Sequence, residues 1–524
     1  MLENTPRLPV RQLLILSICR FAEPVVLTSV LPYLPEMIES LHIPPALVPK
    51  YVGLTTAITS LSQATMAITW GSLSDTYGRK PIILLGLFFT MFFSLVFGFS
   101  TSLPMLIISR GFLGLMNGNV GIIRTMVAEM VPQKELQPRA FSVMPLVWTV
   151  GSIFGPAFGG ALAKPVEKFG SVFGGDEGLW GRFPFALPNV LAAGFFVVGI
   201  ATGWLFLEET LASKKNQRDH GLVLGRALTS CGRHRDEKTQ SLGRDDERTA
   251  LLRDAPKTAK KPAKKPSWAD VFSPQSKLIL LAYSLMSMHT MAFDSLLPVF
   301  LHTPVQQIDG NPDVRLPFKF VGGFGDIDSQ TIGTFYTLIG ILGMLIQFLI
   351  FPIAAHRLGI LPCLKIVVLI FPLLYLLTPF TALVPSPSFR NVTIFFLMLG
   401  KLSASIFGFP CITVLLTNSA TSLGVLGTLN GVGTSFSAIG RAVGPALTGQ
   451  AFSWGLREGF IVVPWWLLAL FGAVSAVPVF CVVEGDGFDG GAGDDEEEEV
   501  EVEEEVEEEE RGRGRTGYGA VASR

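Results

Sequence analysis

Charge is what this 524-residue chain has least of: Asp, Glu, Lys and Arg make up 16%, against about 25% in ordinary globular chains. A soluble enzyme with one compact core is excluded, because long apolar runs dominate and the mean hydropathy is +0.46. Cysteines number only five, and Cys19, Cys231, Cys363, Cys411 and Cys481 form no C-x-x-C pair. No structural disulfide and no zinc-type ligand set is expected. Also lacking are a phosphate-binding G-x-x-x-x-G-K-[ST] loop and a nucleophile elbow, so ATP-driven pumping and hydrolase chemistry have no support. The N-terminus does not read as a cleaved signal peptide: its first apolar run is too long, carries Arg20 and Glu23, and lacks a small-residue cleavage site.

What the chain has instead is apolar length. A spanning helix needs about 20 mostly apolar residues and must satisfy its own backbone hydrogen bonds. Twelve such segments can be drawn, near 12–33, 51–72, 82–100, 104–126, 141–163, 185–207, 277–300, 329–352, 363–383, 392–416, 425–450 and 462–483. The expected fold is an all-α membrane protein of two pseudo-symmetric six-helix bundles. Residues 1–207 form the first half and 276–484 the second, joined by a basic cytoplasmic linker over 208–275. From Glu484 onward 17 acidic face 4 basic residues, a net of −13, so with −2 overall the remainder carries +11. The tail, 485–524, is too charged to bury and reads as disordered and self-repelling.

Lys and Arg collect on the cytoplasmic side of a membrane. Arg7, Arg11, Arg79, Lys80, Lys134, Arg139, the linker and Arg357 then lie inside, and both termini are cytosolic. A repeat ties the halves together. Gly151-Ser-Ile-Phe-Gly155-Pro156-Ala-Phe-Gly159-Gly160 in the fifth span matches Gly440-Arg441-Ala-Val-Gly444-Pro445-Ala-Leu-Thr448-Gly449 in the eleventh, and Thr28–Pro32 echoes Asp294–Pro298. Duplicated six-helix bundles are the architecture of secondary transporters.

Between the second and third spans stands Gly71-Ser-Leu-Ser-Asp75-Thr-Tyr-Gly78-Arg79-Lys80-Pro81. This resembles the G-x-x-x-D-x-x-G-R-K loop signature of the major facilitator superfamily. The resemblance implies that Asp75 latches the cytoplasmic side in one state, with Gly71, Gly78, Arg79 and Lys80 completing the gate. Topology anchoring alone is the plainer alternative. The fourth span holds Arg110-Gly-Phe-Leu-Gly114-Leu-Met-Asn117-Gly118, similar to a second family motif linked to proton coupling. The fifth-span run resembles the glycine–proline motif of the antiporters. Gly151, Gly155, Pro156, Gly159 and Gly160, with Gly444 and Pro445, then either seal the halves flexibly or pack tightly. Phe21-Ala22-Glu23-Pro24, Phe183–Asn189, Phe206–Leu211 and Pro317–Phe320 extend the resemblance to the fungal and plant drug:proton antiporter branch, zinc-induced-facilitator-like proteins included. The second-half loop, Ala355-His356-Arg357-Leu358-Gly359, departs from the signature by lacking an acid.

Ionisable groups at membrane depth cost a few kcal/mol unless paired or hydrated. Arg20 and Glu23, at i and i+3, share a face. They are either a permanent pair or an arginine beside a proton carrier. Asp294 is the second proton or substrate-cation candidate, with simple exposure to water near the outer end as the plainer alternative, and Arg110 either adjusts the charge balance or belongs to a structural ion pair. Polar side chains expected toward a substrate cavity are Gln63, Asn117, His289, Lys401, Asn430 and Arg441, with His289 the weakest because a lone buried histidine is more often simply hydrogen-bonded. Asn430 and Arg441 belong to one stripe with Thr434 and Ser437. Glu247, Leu251 and Leu252 fit an acidic dileucine pattern that a sorting adaptor would read for the vacuole. Asn391-Val392-Thr393 is a glycosylation sequon on the non-cytoplasmic side, close to the membrane.

The expectation is a secondary active transporter and not an enzyme: proton-coupled antiport of a small organic molecule across a lipid bilayer. No cofactor beyond the proton gradient is expected, no nucleic acid, no metal, and nothing larger than a monomer, in the plasma or vacuolar membrane. The alternatives are a nutrient uptake facilitator and a non-transporting receptor of the same fold.

Overall fold

The computed structural model describes residues 8–131, 137–170, 178–211, 214–215, 218–230, 272–306, 311–325, 327–419 and 423–483. The acidic tail, most of the linker, Cys231 and the dileucine residues Glu247, Leu251 and Leu252 lie outside them. Among the described residues the chain is helical, with only two isolated β-bridges. Twelve long rods follow in order. They are α1 (Val10–Ser29), α2 (Val48–Tyr77), α3 (Arg79–Gly98), α4 (Leu103–Met130), α5 (Gln137–Leu162), α6 (Ala186–Phe206), α7 (Pro274–His302), α8 (Ser329–Leu358), α9 (Ile360–Leu383), α10 (Pro387–Asn418), α11 (Leu423–Glu458) and α12 (Val462–Cys481).

Seven of these, α3, α4, α6, α8, α9, α10 and α12, are long and apolar enough to cross a membrane on composition alone. α1 joins them when counted with the short helix Leu34–Ser40, which continues it at a bend of 57°. The other four, α2, α5, α7 and α11, are diluted by glycine and hydroxyl side chains because protein rather than lipid covers much of their surface. α2 packs on α11 and α5 on α8, so these are the rods that join the halves.

α10 and α11 overrun the segments drawn from hydropathy, since their end turns carry polar residues such as Arg390, Gln450 and Glu458. Two irregularities were not expected. α4 breaks between Met116 and Asn119, and α8 carries a π-helical turn at Ile346–Ile350. The linker also begins with an ordered helix, His220–Ser230, packed along the end of α6.

The loop Gly71–Pro81 defines one face of the molecule, the loop face; the opposite one is the far face. The core differs between them. At the far face one cluster runs through both halves, from Tyr33, Leu34, Phe97 and Phe185 to Phe293, Phe300, Phe452 and Trp465. Toward the loop face the core divides in two, one cluster around Leu16, Ile83 and Met126 and another around Leu280, Leu364 and Leu415. The halves therefore share one apolar core at the far face and keep separate apolar cores toward the loop face.

Glycine makes the far-face seam. A Cβ on Gly449 would stand 2.6 Å from the Pro49 carbonyl oxygen of α2, and one on Gly333 2.6 Å from that of Pro156 in α5. Neither backbone can yield cheaply. The repeated motif uses its glycines in parallel ways. Gly151, Gly155 and Gly159 lie against Pro24, Thr28 and Ser29 of α1, and Gly160 against Ser329 of α8 in the other half. Gly440 and Gly444 lie against Ser284 and Met288 of α7, and Gly449 crosses to α2.

Candidate functional site

The loop face is built first by a turn only glycine takes easily: α2 ends at Tyr77, and Gly78 has φ of 109° before α3 begins. The turn brings the Asp75 carboxylate to 2.5 Å from Arg79. Arg79 also holds Glu129, at the end of α4, at 3.0 Å, and donates to the Ser74 hydroxyl at 2.6 Å. Glu209 accepts the backbone N–H groups of Arg79 and Lys80 at 2.9 and 3.1 Å, an acid at the positive end of α3. Lys80 reaches Asp219, just before the linker helix, at 2.6 Å.

Glu129, Glu209 and Asp219 were missed from sequence because each lies far along the chain from the loop it binds. Burial works against the charge on Asp219. The hydrogen bond from Lys80, with those from the Leu222 and Gly221 N–H groups, outweighs it and holds the carboxyl below its ordinary range. The Asp75 side chain is 64% exposed, and among the described residues its one ion pair is with its own turn. Gly71 faces open space.

At the middle of the first half lie Arg20, Glu23 and Asn117. The break in α4 frees the carbonyls of Leu115 and Asn117, and Trp70 and Gln63 satisfy them from α2, at 2.7 and 3.2 Å. Gly118 sits against the Trp70 ring, where no Cβ would fit. Glu23 is 2% exposed; the Asn117 amide is its hydrogen-bonding neighbour, and neither carboxylate oxygen has a bond of full geometry among the described residues. Arg20 is equally buried, with Nε and Nη1 unbonded. Although they share a face of α1, no Arg20–Glu23 ion pair occurs among the described residues.

Arg110 lies elsewhere. Its guanidinium stacks on the Phe97 ring, 4.9 Å from the centroid, in the field of Tyr33. Tyr33 in turn accepts from Asn189 at 3.0 Å, and Ser94 donates to Asn189 at 3.2 Å. This is a far-face polar network of α1, α3 and α6, without a carboxylate.

The second half holds a pair that spacing did not reveal. Asp294 of α7 meets Lys401 of α10 at 2.5 Å, with the lysine also 5.3 Å from the Phe293 ring centroid. His289 is fully buried, its Nδ1 2.9 Å from the Tyr375 hydroxyl and its Nε2 3.3 Å from that of Ser475. This is the hydrogen-bonded alternative for a lone buried histidine, since a helical spacing identifies a face and not what covers it. Here α9 and α12 cover it.

On the α11 stripe, Thr434 accepts from Arg124 of α4 at 3.0 Å, a bond between the halves, and itself donates to the Asn430 carbonyl oxygen at 2.9 Å. Arg124 was overlooked as a cytoplasmic-end charge, yet its field reaches both Arg20 and half-buried Arg441. Gly121 and Gly431, one turn from Arg124 and Thr434, face open space. Asn391 lies in the first turns of α10 at the far face.

Two six-helix halves, sharing a core at one face and with divided cores at the other, around buried ionisable groups, define a multi-pass membrane carrier. Residues 16–445 match the family model for the Major Facilitator Superfamily, and the chain belongs to that family. It is a transporter, not an enzyme. Over 519 residues it is 34% identical to the major facilitator superfamily multidrug transporter mfsB of Aspergillus fumigatus, covering 91% of this chain and 84% of that one. It is 27% identical to the protein zinc induced facilitator-like 1 of Arabidopsis thaliana, covering 84% and 83% of the two chains. In fold it is similar to the human organic anion transporter MFSD10, with a TM-score of 0.56 at 18% identity, over 90% of this chain and 100% of that one.

Proposed function

We propose that this transporter is a proton-coupled antiporter that exports small organic molecules from the cytosol by alternating access. The observation that carries the reading is Glu23: a buried carboxylate with no ion-pair partner among the described residues, next to the Asn117 amide and to a buried Arg20 whose Nε and Nη1 are unbonded. A structural ion pair would hold the two groups in contact. Groups left unpaired at membrane depth are those whose protonation can change with state. Protonation of Glu23 removes the cost of its buried charge, and deprotonation restores its attraction to Arg20. The coupling this creates is between proton occupancy and the arrangement of α1 against α4 and α5. The multidrug transporter among the relatives supports export of organic molecules.

In this reading the loop face is cytoplasmic and the proton gradient is the only energy source. Asp75 closes the loop face in the alternate state, and the dileucine of the linker directs the protein to the vacuole. The test is uptake of a fluorescent drug such as ethidium into sealed proteoliposomes, with and without an imposed pH gradient, for wild type and Glu23→Gln. Gradient-driven uptake lost in Glu23→Gln supports the antiporter. Uptake indifferent to both gradient and substitution identifies a facilitator and removes Glu23 from the mechanism.

A further inference from the structure

The bent end of α1 carries two carboxylates, Glu36 and Glu39, at i and i+3 on the short helix Leu34–Ser40. Both reach into the other half. Glu36 accepts the backbone N–H of Ser329, the first residue of α8, at 2.7 Å. It is 6% exposed, and Lys164, from its own half, stands 3.3 Å away on its second oxygen. Glu39 meets His302, at the end of α7, at 2.8 Å. The other charged groups near this point are Glu167, which also faces Lys164, Lys168, which donates to the Gly160 carbonyl oxygen, and Asp328, which caps α8 by accepting from Thr331.

The arrangement has one feature a simple surface ion pair lacks. A buried acid from one half sits on the N-terminus of α8 of the other half, whose first α-helical stretch, Ser329–Leu345, runs 17 residues and whose unsatisfied N–H groups and dipole favour negative charge. Lys164 fixes the acid from behind, so the contact is made by a positioned and not a wandering side chain. It also stands beside the crossing of Gly160 with α8, where the two backbones touch. Breaking the seam at that crossing withdraws the carboxylate from the helix end, and restoring it requires the two to meet again.

We infer that Glu36 is the far-face latch of the transport cycle, a gating residue whose bond to the start of α8 holds the far face shut while the loop face is open. Lys164 is its positioning residue, and Glu39 with His302 is an outer brace. The loop face has the opposite condition: among the described residues Asp75 is bound within its own turn, to Arg79, and exposed to solvent. One acid is engaged across the halves while the other is held inside its own half, and the cycle exchanges them. The inference concerns which face is open and holds whether or not protons drive the exchange.

Hydrogen–deuterium exchange of the full chain in nanodiscs tests it. In Glu36→Gln, amides of 48–53 and 329–335 at the far face should exchange faster, while those near Arg124 and Thr434 at the loop face become more protected. Losing a charge-assisted bond should shift the ratio of the two states by roughly tenfold. Lys164→Gln, which leaves the Ser329 bond in place, should move both faces the same way by less, and it tests the latch if Glu36→Gln does not fold. Opposite changes at the two faces are what a merely structural contact cannot produce. Unchanged exchange, or faster exchange at both faces together, overturns the inference.

Discussion

The Asp294–Lys401 pair allows a structural role to be separated from a transport role. At 2.5 Å and an effective dielectric of about 20, opposite unit charges attract by roughly 7 kcal/mol before desolvation is counted. Desolvation removes much of that. The aspartate side chain keeps 33% exposure while the lysine keeps 6%, so the groups are unequally costly to leave alone. Asp294→Asn strands the more buried partner and should destabilise by about 3 kcal/mol, the lower end for breaking a buried pair. Lys401→Met leaves a carboxylate with access to water and should cost about half as much. The double variant removes both charges, and because methionine fills the lysine's path beside Phe293 it should recover most of the loss.

Unfolding of the purified protein in mixed micelles measures all three. A double variant as unstable as the sum of the two singles would refute the reasoning, since it would mean that the groups do not compensate each other. Flux through the same double variant then reports on transport apart from stability: a stable protein that no longer responds to the gradient assigns the Asp294–Lys401 pair a part in coupling.

Two further outcomes follow from packing and linkage. A Cβ on Gly53 would strike the Pro445 carbonyl oxygen in the far-face seam, whereas one on Gly194 meets nothing within 4 Å; Gly53→Ala should cost about 1–3 kcal/mol and slow flux, Gly194→Ala neither, and equal behaviour of the two variants contradicts the seam. The Asp219 carboxyl is held below its ordinary range, so its contribution is complete above the unfolded value and is lost only as pH falls through the lower folded one. A spin label at Arg226→Cys should therefore report an unchanged docked linker helix from pH 7 to pH 5, and a mobile one already at pH 7 in Asp219→Asn; loosening of the wild type within that interval counts against the Lys80 clamp.

The rods and their division into halves were legible because a membrane turns burial into a one-dimensional signal: apolar length. The repeated glycines were legible too, since close packing needs them at fixed offsets. What escaped were partners. Spacing along α7 places Asp294 on a face but cannot say that Lys401, 107 residues on, stands opposite. Glu36 drew no attention in sequence because its meaning depends on a backbone N–H at the start of α8, a group every residue but proline has. The break in α4 was hidden in an apolar run, where Trp70 and Gln63 of another helix compensate the lost hydrogen bonds. His289 shows the converse: a conspicuous residue that the fold silences by covering it.

The divided core has a consequence for how sequence change acts on this protein. Leu16 and Met126 belong to one half alone, as Leu280 and Leu415 do to the other, and they keep their neighbours whichever way the halves tilt. Variation there alters durability and leaves the balance between states alone. Tyr33, Phe300 and Phe452 belong to the one cluster that runs through both halves, and that cluster is divided at each excursion. The same small change, a methyl group gained or lost, is thus a matter of upkeep in one place and of timing in the other.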